Sequence, residues 1–240
     1  MFRTIFWFTY FWLYKLYSLI LLAKVNRLIK NGKDRQAEQL VHEIAKKWAR
    51  SLIKHTGSTV EVYGLENIPA GNVLFVSNHQ GNFDIPLLIG YIDKPKGFIA
   101  KIELKKIPII STWMRKINCV FIDRSNLRES MKAIIESVKL LKQGKSMVLF
   151  PEGTRSKSNK LGSFKPGGIK SAVKAQVPIV PVTINGSYRI LEHNKFFIKP
   201  ARIKIVISEP IYVNKLTKEE RDNLPNRLRE IIAANLDHRY

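Results

Sequence analysis

Residues 78–84 read "NHQGNFD" and follow directly on the apolar run "NVLFVS". His79 is the side chain best suited to general-base work near neutral pH. A carboxylate on its other ring nitrogen would fix the tautomer and stabilise the imidazolium formed on proton transfer. Asp84 stands where it could be that carboxylate, if it opens a helix turned back toward the loop. Gly81 and Asn82 need only turn chemistry to explain them. Taken alone, the pair is better explained as a loop histidine and a helix-capping aspartate.

Three more polar clusters follow apolar runs. "FPEGTRS", residues 150–156, comes after "SMVL" and places Glu152 and Arg155 around Gly153. An arginine fork suits a phosphate monoester, and backbone N–H groups near a glycine can add to such a cradle. "VFIDRSN", residues 120–126, ends a run on Asp123 and Arg124, and "KIELKKIP" brings Lys101 after "GFIA". For Arg124 or Lys101 singly, a solvated charge on a basic protein is an adequate explanation. "VPIVPVTI", residues 177–184, is mostly apolar, its two prolines marking an edge or a bulge. One base, one orienting carboxylate and several cations beside apolar surface suit activation of a hydroxyl on a phosphate-bearing amphiphile. The sequence holds no G-x-S-x-G elbow, Walker loop or H-E-x-x-H pair.

The elements that must position these clusters are short apolar runs alternating with helical stretches. Candidate strands cover 59–63, 73–77, 97–100, 119–123, 146–150, 179–184 and 202–207. A helix is predicted over 126–142, with Ser125 as N-cap and Gly144 past its end, and Thr217 with Glu220 forms a capping box opening a C-terminal helix. The pattern predicts an α/β fold with a mixed, largely parallel sheet of about seven strands flanked by helices. In such sheets sites form beyond strand ends, which is where "NHQGNFD" falls.

The first 57 residues read differently, as a two-helix membrane-associating unit preceding an α/β domain over 58–240. Residues 5–23, "IFWFTYFWLYKLYSLILLA", are aromatic and aliphatic with one charge, Lys15, and five basic residues follow before position 36. Spanning takes about 20 apolar residues, but a central lysine costs about 2.5–3.5 kcal/mol on insertion scales. A helix lying in one leaflet keeps that lysine near headgroups and suits the Trp and Tyr content. Val41, Ile44, Ala45, Trp48 and Leu52 form the stripe of a second helix, which an ordinary core contact also explains. The expectation is a monotopic unit on the cytoplasmic face, needed for membrane binding and not for the His79–Asp84 geometry.

Charge agrees with a surface of that kind. The 240 residues carry 41 Lys plus Arg against 19 Asp plus Glu, a net +22, so an anionic bilayer, an acidic carrier protein or nucleic acid would each be attracted. One cysteine, Cys119, excludes an intrachain disulfide, and its place in a strand reads as packing.

Four ordered blocks, N-H-x-x-x-x-D, F-I-D-R, F-P-E-G-T-R-S and V-P-I-V-P, resemble those of the glycerolipid acyltransferase family, in particular its 1-acylglycerol-3-phosphate branch. The resemblance covers roughly residues 60–185. It implies acyl transfer from a coenzyme A or acyl-carrier-protein thioester to the 2-hydroxyl of lysophosphatidic acid, with no metal or other cofactor. It also implies His79 as base, Asp84 as its partner, and Arg124, Glu152, Gly153 and Arg155, joined by Lys101, in the acceptor-phosphate region. Nucleic acid is not an expected partner on this reading. The family often has Gly where this chain has Ser111 and Asn118. Glycerol 3-phosphate or another lysolipid as acceptor stays open at this point, as does a basic surface-binding protein without chemistry.

Overall fold

The computed structural model describes residues 1–237 and 239–240. Its centre is a seven-stranded sheet in the order β1-β7-β6-β2-β5-β3-β4. The strands are β1 (Thr59–Tyr63), β2 (Leu74–Ser77), β3 (Lys96–Lys101), β4 (Val120–Ile122), β5 (Ser146–Leu149), β6 (Ile179–Asn185) and β7 (Arg202–Ile207). All neighbours pair in parallel except β6 with β7, so the sheet is mixed and largely parallel, as the alternation of runs predicts.

Period-two burial divides the sheet into two apolar faces. Val73, Phe75, Val148 and Phe150 point to one side, where Ala49, Leu52 and Ile53 of α2 (Asp34–Thr56) and Leu87 and Leu88 of α3 (Asp84–Tyr91) cover them. Leu74, Val76, Met147 and Leu149 point to the other, under α5 (Leu127–Lys142), α6 (Pro166–Ala175) and α8 (Leu224–Ala234). The remaining helices are α1 (Phe2–Lys30), α4 (Ile110–Lys116) and α7 (Lys218–Asp222).

Local sequence accounts for several junctions. Thr217 and Glu220 make the expected capping box, but it opens only α7, and the chain re-enters helix at α8 with Pro225 in the first turn. The N-cap of α5 is Asn126, whose side chain accepts from the N–H groups of Arg128 and Glu129. Ser125 is not the cap, because its hydroxyl and N–H both donate to the Asp123 carboxylate. Pro181 lies in an interior strand at a bulge, between the β6–β7 ladder and the Ile179–Ile211 bridge. Asn118 adopts a left-handed φ of 60°, a conformation that glycine takes freely and asparagine tolerates.

The N-terminal helices share the core of the sheet. Trp7 of α1 is buried against Phe83, its indole N–H donating to Leu52 O at 2.9 Å, and Tyr10 donates to Ser51 Oγ at 2.8 Å. Further along, Trp113 Nε1 donates to Ser18 Oγ at 3.1 Å, and Val25 packs with Ala37, Val41 and Ile44. The opposite side of α1, including Phe2, Ile5, Trp12, Leu13, Leu16 and Ile20, is exposed. By length and composition α1 could cross a membrane.

Candidate active site

Because β2, β3, β4, β5 and β6 run in parallel, their carboxyl ends lie along one edge of the sheet. The four polar clusters of the sequence follow β2, β3, β4 and β5 and therefore gather there. Asn78 fixes the exit of β2: its amide donates to Ile184 O at 2.9 Å and accepts from Ile184 N at 2.8 Å, continuing the ladder to β6 through a side chain.

His79 and Asp84 meet as their spacing suggests. Asp84 opens α3, is fully buried, and accepts from His79 Nδ1–H at 2.7 Å and from Gly81 N–H at 2.9 Å with Oδ2. Its other oxygen accepts from the Ser187 hydroxyl, just beyond β6. The imidazole stacks on Phe150, centroids 4.0 Å apart, which fixes the ring plane. Its side chain is 17% exposed and lines a cavity, so Nε2 faces space rather than protein. Loop zippering adds rigidity, since Ser156 N–H donates to His79 O at 2.8 Å and Lys157 N–H to Gln80 O at 3.1 Å.

Glu152 and Arg155 take different places from a bare phosphate cradle. The Glu152 carboxylate is buried and accepts from the N–H groups of His79, at 2.8 Å, and Gly162, at 2.9 Å. Burial raises its pKa and those two hydrogen bonds oppose the rise. Glu152 holds the backbone of the histidine and is not among the cavity-lining residues. Arg155 does line the cavity, its guanidinium donating to Asn82 Oδ1 at 2.5 Å and pairing with Glu192 at 3.3 Å.

Lys101, Arg124 and Gly153 also border the cavity. Gly153 has φ +76°, and a Cβ there would lie 3.5 Å from Lys165 Nζ and 3.7 Å from Arg124 NH1. Two cations thus converge beside the glycine. Among the described residues, Lys101, Arg124 and Lys165 form no ion pair, which leaves them open to an anion. Partial burial lowers the pKa of Arg124, with the Glu103 charge opposing, and a bound anion would relieve that loss of solvent.

The cavity measures about 440 Å³ and is mainly apolar. Phe11 and Tyr14 of α1, Trp48 of α2, Ile85 and Ile89 of α3, and Trp113 of α4 are among its walls. Lys15 turns to this cavity and sits 4.4 Å from the Trp12 ring centroid. Residues 1–54, expected to be dispensable for the His79–Asp84 geometry, do shape the cavity around it: α1 and α2 form cavity walls, and Trp7 packs on Phe83 beside Asp84. Burial pushes the Cys119 thiol up to about 12, keeping it protonated and a poor nucleophile. No group of three or more His, Cys, Asp or Glu residues capable of holding a metal occurs among the described residues.

A family model described as Acyltransferase matches residues 59–185, more than half of the chain. The chain belongs to that acyltransferase family. It is 38% identical over 192 residues to the probable 1-acyl-sn-glycerol-3-phosphate acyltransferase of Mycoplasma pneumoniae, covering 73% of this chain and 70% of that one. To the chloroplastic 1-acyl-sn-glycerol-3-phosphate acyltransferase of Arabidopsis thaliana it is 35% identical over 199 residues, covering 82% of this chain but 54% of that longer one. The crystal structure of the 1-acyl-sn-glycerophosphate (LPA) acyltransferase PlsC from Thermotoga maritima superposes with a TM-score of 0.86 at 32% identity, over 98% of this chain and 93% of that one. The mixed seven-stranded fold of this acyltransferase, with its long N-terminal helices, is the fold of that neighbour.

Sequence reasoning misses Lys165, Ser187 and Glu192. Lys165 returns through the loop after β5, its N–H donating to Pro151 O at 3.0 Å, while Ser187 and Glu192 follow β6, which a crossover places beside β2. A lone lysine among 41 basic residues, or a serine after a glycine, carries no local signal.

Proposed function

We propose that this acyltransferase moves a fatty acyl group from a coenzyme A or acyl-carrier-protein thioester to the 2-hydroxyl of 1-acylglycerol 3-phosphate, giving phosphatidic acid. The observation that carries the reading is a buried carboxylate–imidazole pair facing an apolar cavity whose rim bears Lys101 and Arg124, cations with no ion pair among the described residues. The names of the relatives support the choice of acceptor.

The chemistry follows from the geometry. His79 Nε2 takes the proton of the acceptor hydroxyl as its oxygen attacks the thioester carbonyl carbon. Asp84, held by Gly81 N–H and Ser187, stabilises the imidazolium and keeps Nδ1 protonated. The tetrahedral intermediate collapses with cleavage of the C–S bond, and the imidazolium proton goes to the departing sulfur. Ester and thiol are the products. Lys101, Arg124, Lys165 and Arg155 hold the phosphate dianion, and the apolar cavity receives a fatty chain.

On this reading the enzyme is monotopic on the anionic, cytoplasmic face of the membrane. Contacts of α1 with the body run from Thr4, which accepts from Ile198 N–H, to Val25. At ~1.5 Å per residue they extend over roughly the full hydrocarbon thickness. Spanning would break those contacts or draw the body into lipid. Lying in one leaflet instead buries the outward apolar side of α1, keeps Lys15 at the cavity, and lets the acceptor enter from the bilayer.

The test is to supply a purified preparation with an acyl thioester and, in turn, 1-acylglycerol 3-phosphate, glycerol 3-phosphate and a zwitterionic lysolipid, measuring free thiol. Release should depend on the first acceptor and be lost in His79→Ala. Equal release with all three, or preference for glycerol 3-phosphate, would overturn the assignment.

A further inference from the structure

Phe196 and Phe197, in the connection from β6 to β7, lie outside the site described above. They are 80% and 48% exposed, side by side in the chain. Lys195 and Phe196 both adopt left-handed backbone, with φ of 50° and 73°. Non-glycine residues avoid that region, and two in succession persist only where the surroundings impose them. Here the residue after the two phenylalanines does so: Ile198 is buried in the main core and its N–H donates to Thr4 Oγ1 at 3.0 Å. Lys199 N–H closes the loop on Ile190 O at 3.0 Å. The fold thus fixes the base of the loop and turns both rings to the outside.

We infer that the 195–199 loop is a second membrane contact, a wedge whose two phenyl rings enter the leaflet beside the N-terminal turns of α1. Two features select a lipid surface as the partner. The loop is continuous with the exposed apolar side of α1, since Thr4 bonds to it and Phe2, Ile5 and Phe6 flank that contact. Lys195 and Lys199 are exposed on either side of the rings and form no ion pair among the described residues, a pattern complementary to anionic headgroups around an apolar interior. The wedge is also tied to the site. Its segment starts at Glu192, whose carboxylate accepts from Asn82 N–H at 2.7 Å and pairs with Arg155. Insertion therefore sets the rim of the cavity against the lipid, with α1 and the loop as two separate points of support. The inference rests on the leaflet reading of α1, and its test separates the two.

Full-length protein with Cys119→Ala carries either Phe196→Cys or Leu16→Cys, labelled with an environment-sensitive fluorophore. It is mixed with vesicles of equal parts phosphatidylcholine and phosphatidylglycerol containing lipids with a nitroxide high on the acyl chain. Both labels should be quenched. Quenching at position 16 alone would overturn the wedge while leaving the α1 anchor in place, and quenching at neither would overturn both. In unlabelled protein, Phe196→Ser with Phe197→Ser should weaken vesicle partitioning about tenfold or more. Both rings are exposed, so folding should be unaffected and the melting temperature serves as the control. Partitioning within about twofold of the parent would also sink the proposal.

Discussion

Replacing Asp84 by Asn tests the core of the mechanism, because it keeps the shape of the buried group and removes its charge. Asp84 Oδ2 is 2.7 Å from His79 Nδ1, so the carboxylate and imidazolium centres in the transition state stand about 4 Å apart. At an effective dielectric constant near 20, that attraction is worth about 4 kcal/mol. Losing it should slow the chemical step by about three powers of ten. The amide can still accept from His79 through its oxygen, while its NH2 group faces Ser187, whose hydroxyl can rotate to accept. Acceptor KM should therefore stay within about threefold, since the cations lie elsewhere. Thiol release at saturating acceptor gives kcat, with circular dichroism and thermal melting as fold controls. Ser187→Ala should fall between variant and parent, by about ten- to a hundredfold in kcat, because it removes one hydrogen bond to the charge but not the charge. Ser187→Thr should recover most of that loss. A folded Asp84→Asn enzyme within about tenfold of the parent kcat, or one impaired only in KM, would refute the role assigned to the pair.

Arg124→Ala and Lys165→Ala should each raise acceptor KM by about ten- to a hundredfold while leaving slow hydrolysis of the thioester by water unchanged; loss of both activities would point to folding instead. Arg155→Lys should recover only part of the Arg155→Ala defect, because one guanidinium nitrogen already engages both Asn82 and Glu192 and an ammonium has no second nitrogen left for the phosphate. Burial lowers Lys96 from 10.5 to about 7. Its contribution to stability is therefore present above about pH 10.5 and lost as pH falls through about 7, so unfolding free energy should rise by a few kcal/mol from pH 7 to 10. Lys96→Met should flatten that slope in urea titrations, and an unchanged slope would show that Lys96 is not its source. A cysteine introduced by Phe2→Cys, with Cys119→Ala, should resist an impermeant thiol reagent added to the non-cytoplasmic side of sealed membranes; labelling there would mean that α1 spans.

What the sequence discloses depends on the range of the interaction. Strand periodicity and the His79–Asp84 spacing are local, so all seven strands appear within about a residue of expectation and the pair forms. The Asn126 cap is equally local, but Ser125 competes for it, and only the nearby Asp123 carboxylate decides between them. Glu152 shows the limit more sharply. Its motif position suggests the phosphate region, yet the parallel pairing of β2 with β5 places its carboxylate under the N–H of His79. Ser187 joins the site only through the crossover that returns β6 beside β2, and Lys165 through a loop after β5 that folds back on Pro151; neither residue type signals that geometry in the sequence.

Long-range contacts also explain why the N-terminal helices and the site cannot be treated as separate parts. An apolar N-terminal segment read in isolation is a device for finding the membrane, and 1–57 looks like a detachable module. In the folded chain Trp7 covers Phe83, the residue before Asp84, while Phe11, Tyr14 and Lys15 close one side of the cavity. Deleting α1 would expose buried aromatic surface beside the catalytic carboxylate and open the cavity to water. On the proposed mechanism, water in that space would compete with the acceptor hydroxyl for the thioester and screen the cations proposed to hold the phosphate. On the proposed leaflet reading, a single helix would offer lipid on one side and a wall of the cavity on the other, so the depth at which it rests would also set where the fatty chain meets His79.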